Sequence, residues 1–141
     1  MQFFDTNILV YSFDQNAPAK QVIALSLIET ALTRKGTGAI SSQVVQEFLN
    51  LATRKFARTI DSESCAQYLD TVLLPLCQHF PSALHYQRAL GLQNRYQLPW
   101  YDSLILTSAL SLHCSELLSE DFQHGQRFDS LVVVNPFRTS K

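Results

Sequence analysis

Charge is in short supply in this sequence. Asp, Glu, Lys and Arg together make up 16% of its 141 residues, against about 25% for an average domain. Less polar surface than usual is a mild hint that part of it is covered by a partner. No excess of one sign is present either, since eleven Lys and Arg face twelve Asp and Glu for a formal net charge of −1. A protein that grips nucleic acid by bulk charge is basic, so any such role here rests on a local patch. Glycine (four) and proline (five) are few, which excludes collagen-like and low-complexity chains. Cys65, Cys77 and Cys114 form no CxxC pair; they argue against a disulfide framework or zinc knuckle and for a reducing compartment. The longest apolar runs, such as Ile8 to Tyr11 and Leu131 to Val134, fall far short of a membrane span. The first residues carry Asp5 and no basic side chain, unlike a signal peptide. The expectation is a soluble cytoplasmic protein with one domain over 1–141, long enough to bury about two-thirds of its unfolded surface.

What is present is an alternation of short apolar strands and helical patterns. Gln2 to Asp5 reads as a first strand, followed by the apolar Ile8 to Tyr11. Ala17-Pro18 opens a helix to about Thr33, with Val22, Leu25, Ile28 and Leu32 at helical spacing. After Gly36-Thr37-Gly38, Ala39 to Ser41 reads as a strand, and Ser42 as the cap of a helix carrying Val44, Val45, Phe48, Leu49, Ala52 and Phe56. A further helix starts at Asp61 or Ser62 and ends near Pro75; Leu76 to Phe80 is a third strand. Pro81-Ser82 opens a helix to about Tyr96, and Pro99 starts the next, which carries Leu104, Ile105, Leu106, Ala109 and Leu112. Glu116 to Leu118 and Leu131 to Val134 are the last strands. Helices between successive short apolar strands predict an α/β fold with a mainly parallel sheet and helices on both faces.

In such a sheet ligands collect beyond the carboxyl ends of the strands. Asp5 and Asp121 both fall there, though each also suits a cap or turn. Glu47 sits at the edge of an apolar stripe with Val44 and Leu51, and Asp102 aligns with Ile105, Leu106 and Ala109. A carboxylate on an apolar face costs several kcal/mol without a partner, so an Arg partner, a helix cap, a helix rotated slightly outward or a site must explain each. Four carboxylates converging on one pocket would suit Mg²⁺ or Mn²⁺, which take oxygen ligands and keep waters. Such ions can support phosphodiester cleavage.

Four segments carry a resemblance to a known family. Phe4-Asp5-Thr6-Asn7-Ile8-Leu9-Val10-Tyr11 resembles the opening of PIN-domain proteins, particularly VapC-type toxin ribonucleases. Ser41 to Phe48, Tyr101 to Ile105 with Ala109, and Leu117 to Phe122 resemble the later acidic blocks in the same order. The resemblance implies a three-layer α/β/α sandwich and an endoribonuclease dependent on Mg²⁺ or Mn²⁺, acting on RNA. It also implies homodimerisation and a small protein antitoxin. Its acidic positions fall on Asp5, Glu47, Asp102 and Asp121, and its supporting polar positions on Thr6, Asn7 and Ser119. At the fourth block Asp121, two residues after Ser119, fits the pattern, while Glu120 points elsewhere.

Arg54 and Arg58 are candidate RNA contacts, seven and eleven residues beyond Glu47 if that helix runs on, and are otherwise cations at a helix end. Trp100 and Tyr101 could stack on bases, although packing in a core or dimer interface is the commoner use of such aromatics. His124 falls near the pocket rim without an assigned role, and the cysteines read as small core residues. Phosphoryl-aspartate chemistry fits less well, because Asp5 is followed two places on by Asn7 rather than a second acid. The non-enzymatic alternative is a catalytically silent PIN-like RNA-binding or scaffolding domain.

Overall fold

The first strand, β1 (Gln2–Phe4), buries Phe3 and Phe4 completely. Neighbouring strand residues point to opposite faces, so this strand is covered on both sides, as a central parallel strand must be. The structure is a computed structural model that describes residues 1–139; Ser140 and Lys141, the end of the expected 1–141 domain, lie outside the described residues. After β1 come α1 (Thr6–Tyr11), α2 (Pro18–Thr33), β2 (Gly38–Ser41), α3 (Ser42–Arg54) and α4 (Ser62–Tyr68). A π-helical turn (Leu69–Leu73) leads through α5 (Leu74–Leu76) into β3 (Cys77–His79). The remainder is α6 (Ala83–Tyr96), α7 (Trp100–Ser111), β4 (Glu116–Leu118), β5 (Arg127–Phe128) and β6 (Leu131–Val134).

The strands form one sheet in the order β3-β2-β1-β4-β6-β5. Every pairing is parallel except β5 with β6. Connections from β1 to β2 to β3 step one way across the sheet, and the connection from β3 to β4 returns past β1. Right-handed crossovers therefore place α1 to α5 on one face and α6 and α7 on the other. This is the expected α/β/α sandwich, and it puts the reversal of strand order between β1 and β4. Their registers are in step, with Gln2 opposite Glu116 and Phe4 opposite Leu118, so Asp5 and Ser119 leave the sheet side by side.

Several details depart from the sequence reading. Asp5 lies outside β1 and caps α1. Ser41, not Ser42, caps α3, its hydroxyl accepting from the Val44 amide. On α2 the expected inward stripe is rotated: Ala24, Ile28 and Ala31 are buried, whereas Val22, Leu25 and Leu32 are exposed. The reason is close approach. A Cβ at Gly38 would stand 2.6 Å from the Ala31 Cβ and 2.8 Å from Phe4 Cζ, so only small residues fit where α2 lies on the sheet. The helix from Asp61 to Pro75 is interrupted by its π turn just before Pro75, where proline removes a backbone donor. β5, two residues long, is too short to leave a pattern.

Helix α7 is buried all round from Ser103 to Ala109. Its hydroxyls are satisfied locally, Thr107 Oγ1 donating to the Ser103 carbonyl at 2.6 Å and Ser103 Oγ to the Trp100 carbonyl at 2.6 Å. With this helix fixed in the core, its first turn is held over the carboxyl ends of the strands.

Candidate active site

Asp5 emerges from β1 at the point where the strand order reverses. Its Oδ1 accepts from the Thr6 amide at 2.8 Å and its Oδ2 from the Ser119 hydroxyl at 2.7 Å. It is thus a helix cap and a pocket carboxylate at once. Only 5% of Asp5 is exposed. Burial pushes its carboxyl up to about 7; the Ser119 and Thr6 bonds oppose this, and the charges of Asp121 and Glu47 add to it.

Ser119 follows β4 and is fully buried. Besides donating to Asp5, its Oγ accepts from the Asp121 amide at 3.0 Å and from Asn7 Nδ2 at 3.4 Å. Asn7 Nδ2 also donates to Asp121 Oδ2 at 3.2 Å, and Asn7 Oδ1 accepts from the Glu120 amide at 3.4 Å. On the other side, Thr6 Oγ1 donates to Glu47 Oε2 at 2.7 Å. Two consecutive residues of α1 therefore orient carboxylates on two different elements. Asp102, in the first turn of α7, is half-buried. Its carboxyl is raised by burial, then by the charges of Asp121 and Glu47, and among the described residues no hydrogen bond relieves it.

The fold thus draws Asp5, Glu47, Asp102 and Asp121 to one place, with Thr6, Asn7 and Ser119 between them. The partner of Glu47 is not an Arg, and Asp102 is not a cap, since Pro99 holds that position. Arg54 and Arg58 are not brought together on one helix face. α3 ends at Arg54, and Lys55 and Phe56 both donate backbone bonds to the Leu51 carbonyl. Phe56 packs edge-on against Phe48 at 5.9 Å and lies near Phe13 at 6.0 Å, which turns the chain off the helix axis. Arg58 instead lines an open groove of about 600 Å³ with Phe13, Phe56 and Asp61.

The donor set suits a hard divalent cation, being all oxygen, and a cation would relieve the buried charge of Asp5 and Asp102, whose carboxyls burial raises first and their acidic neighbours raise further. Among the described residues no three His, Cys, Asp or Glu side chains are close enough to form a ready-made cage. The arrangement fits an ion held by one or two carboxylates with water completing its shell, the usual habit of Mg²⁺.

Three neighbours escaped the sequence reading. Gln43 Nε2 donates to Glu47 Oε1 at 2.7 Å; its position four residues before Glu47 was the available signal. Tyr11 OH and Lys20 Nζ each donate to Glu120 at 2.7 Å, across separations of 109 and 100 residues that leave no local trace. Trp100 is half-buried and Tyr101 is exposed beside Asp102, so Tyr101 is not a core residue. The exposed His124 accepts from the Asn135 amide through Nδ1 at 3.0 Å.

The PIN-domain family model matches residues 3–127, and the chain belongs to the PIN-domain family. PIN domains are generally nucleases, and those nucleases typically use divalent metals. Among solved structures, the chain is similar to a toxin–antitoxin complex from Klebsiella pneumoniae, at 22% identity and a TM-score of 0.66, covering 96% of this chain and 98% of that one. It is also similar to a structure of FitAB bound to an IR36 DNA fragment, at 18% identity and a TM-score of 0.67, covering 100% and 99%. No curated protein matches the sequence.

Proposed function

We propose that this PIN domain is a Mg²⁺- or Mn²⁺-dependent endoribonuclease and the toxin of a toxin–antitoxin pair. The observation that carries the reading is the meeting of Asp5, Glu47, Asp102 and Asp121 at the strand-order reversal, where Asp5 and Asp102 are each destabilised as anions by burial first and by their acidic neighbours in addition. One or two of those carboxylates would hold the cation directly, and the others would meet it through its water shell. When bound, it supplies an activated water and offsets the charge that builds on the phosphate. Thr6 holds Glu47, and Ser119 and Asn7 hold Asp5 and Asp121, so the donors keep each carboxylate in one orientation. Arg54, seven residues beyond Glu47 on α3 and about 10 Å further along its axis, would meet RNA phosphates. Arg58, off that axis, is a weaker candidate.

The partner reading is a small protein antitoxin and a homodimer. It is supported by large apolar side chains left exposed on α2 (Val22, Leu25) and beside or on α6 (Phe80, Leu84, Leu90), and by the toxin–antitoxin description of one similar structure. A reducing cytoplasm suits the three free cysteines. No described helix is long and apolar enough to cross a membrane.

The deciding experiment is cleavage of total RNA by metal-depleted protein with and without added Mn²⁺ or Mg²⁺, beside Asp5→Asn. Cleavage should appear only with the cation and be lost in Asp5→Asn. Undiminished cleavage in the presence of a chelator would remove the proposed mechanism.

A further inference from the structure

Gln43 lies one helical turn before Glu47 on α3 and is half-buried. Its Nε2 donates to Glu47 Oε1 at 2.7 Å and to the Tyr101 carbonyl at 3.2 Å. A primary amide nitrogen has two hydrogens, one for each acceptor. A Gln–Glu pair one turn apart on a helix is an ordinary local contact. The bond to Tyr101, 58 residues away, is a different matter. The Tyr101 carbonyl belongs to the peptide unit that ends at the Asp102 nitrogen, so the amide ties one pocket carboxylate to the backbone that carries another. Among the described residues no other hydrogen bond joins α3 to α7. Glu47 is then gripped at both oxygens, by Thr6 and by Gln43. Among the described residues no donor reaches the Asp102 carboxyl, so its place in the pocket is set through its backbone.

We infer that Gln43 is a positioning residue which fixes the spacing between Glu47 and Asp102 and thereby sets the cation affinity of the pocket. The inference rests on the metal-site reading given above. Two carboxylates on separate helices repel each other, and a neutral donor between the helices opposes their drift without competing for the cation. Orienting neighbours of this kind typically contribute about 10- to 100-fold in metal affinity.

Gln43→Met keeps side-chain length and helix preference while removing both donors, and Gln43→Ala removes them in a different way. Mn²⁺ is titrated calorimetrically into metal-depleted wild type and both variants, with amide hydrogen exchange at the start of α7 recorded without metal. The expected result is about tenfold weaker Mn²⁺ binding, faster exchange at the first turn of α7, and a metal-free melting midpoint close to wild type. RNA cleavage by the variants should recover at saturating Mn²⁺, a rescue that a merely structural defect would not show. Mn²⁺ affinity within twofold of wild type in either folded variant overturns the positioning role while leaving the metal site standing. A wild-type protein that binds no Mn²⁺ overturns both readings together.

Discussion

Glu120 and Asp121 are adjacent in the chain and live in opposite electrostatic surroundings. Glu120 turns toward α1 and α2, where Lys20 Nζ and Tyr11 OH each reach its carboxylate at 2.7 Å. The Lys20 bond first, then the Tyr11 bond, hold its carboxyl below the usual value, and the same contact with Glu120 pushes the Tyr11 phenol up. Lys20 also lies 4.5 Å from the Tyr11 ring centre, a favourable cation–π distance. Its charge is spent locally. Asp121 turns the other way, toward Asn7, and its charge helps to raise Asp5 and Asp102. One acid is paired with a cation of the protein; the other belongs to a group that no Lys or Arg among the described residues pairs with. Two neighbouring carboxylates of the same chemistry are thus separated by direction alone, in the bend that follows β4.

The sharpest way to break this contrast is to neutralise each acid in turn. Asp121→Asn should lower metal-dependent RNA cleavage by about 100-fold or more, the scale on which charge-placing groups act in such sites, while Glu120→Gln should stay within a few-fold of wild type. Equal losses in initial cleavage rate would show that Glu120 belongs to the pocket.

A smaller effect separates the regions by stability. Asp5 titrates near 3.8 when unfolded and is pushed up to about 7 by burial in the fold. The fold therefore favours its protonated form. That contribution is complete below about pH 3.8 and is lost as pH rises through 7. Above pH 7 the charge is trapped in the fold at a cost of order a few kcal/mol, since each pH unit between the unfolded and folded values corresponds to about 1.4 kcal/mol. Asn at position 5 also caps helices well. Metal-free Asp5→Asn should accordingly be the more stable protein at pH 8 in urea unfolding, with the advantage shrinking toward pH 4. A variant less stable than wild type at pH 8 would mean that the bonds to Thr6 and Ser119 outweigh the trapped charge.

The smallest effect belongs to the neutralised region. Lys20 and Glu120 side chains are 36% and 30% exposed, so solvent and salt screen their pairing. Lys20→Met should lower the melting midpoint slightly at low salt, with the difference closing at about 1 M salt. A loss that persists at high salt would show that Lys20, whose ammonium lies over the Tyr11 and Phe137 rings, matters through those rings rather than through its pairing with Glu120.

By itself the sequence determined the alternation of strands and helices, because buried parallel strands must be short apolar runs and helix starts carry local caps such as Asp61 and Ser82. It also marked Asp5, Glu47, Asp102 and Asp121, since carboxylates at strand ends or on apolar faces need a reason. What only the tertiary structure decided is which groups face each other. The inward side of α2 followed from the contact of Ala31 with Gly38 rather than from the larger residues Val22 and Leu25, because room beside the sheet outranks hydrophobicity there. Arg58 left the axis of α3 because Phe56 joined the aromatic cluster of Phe13, Phe48 and Tyr68. Lys20 found Glu120, and Gln43 found Tyr101. Those pairs lie 100 and 58 residues apart, and no local periodicity encodes a contact that exists only after the sheet has brought its strand ends together.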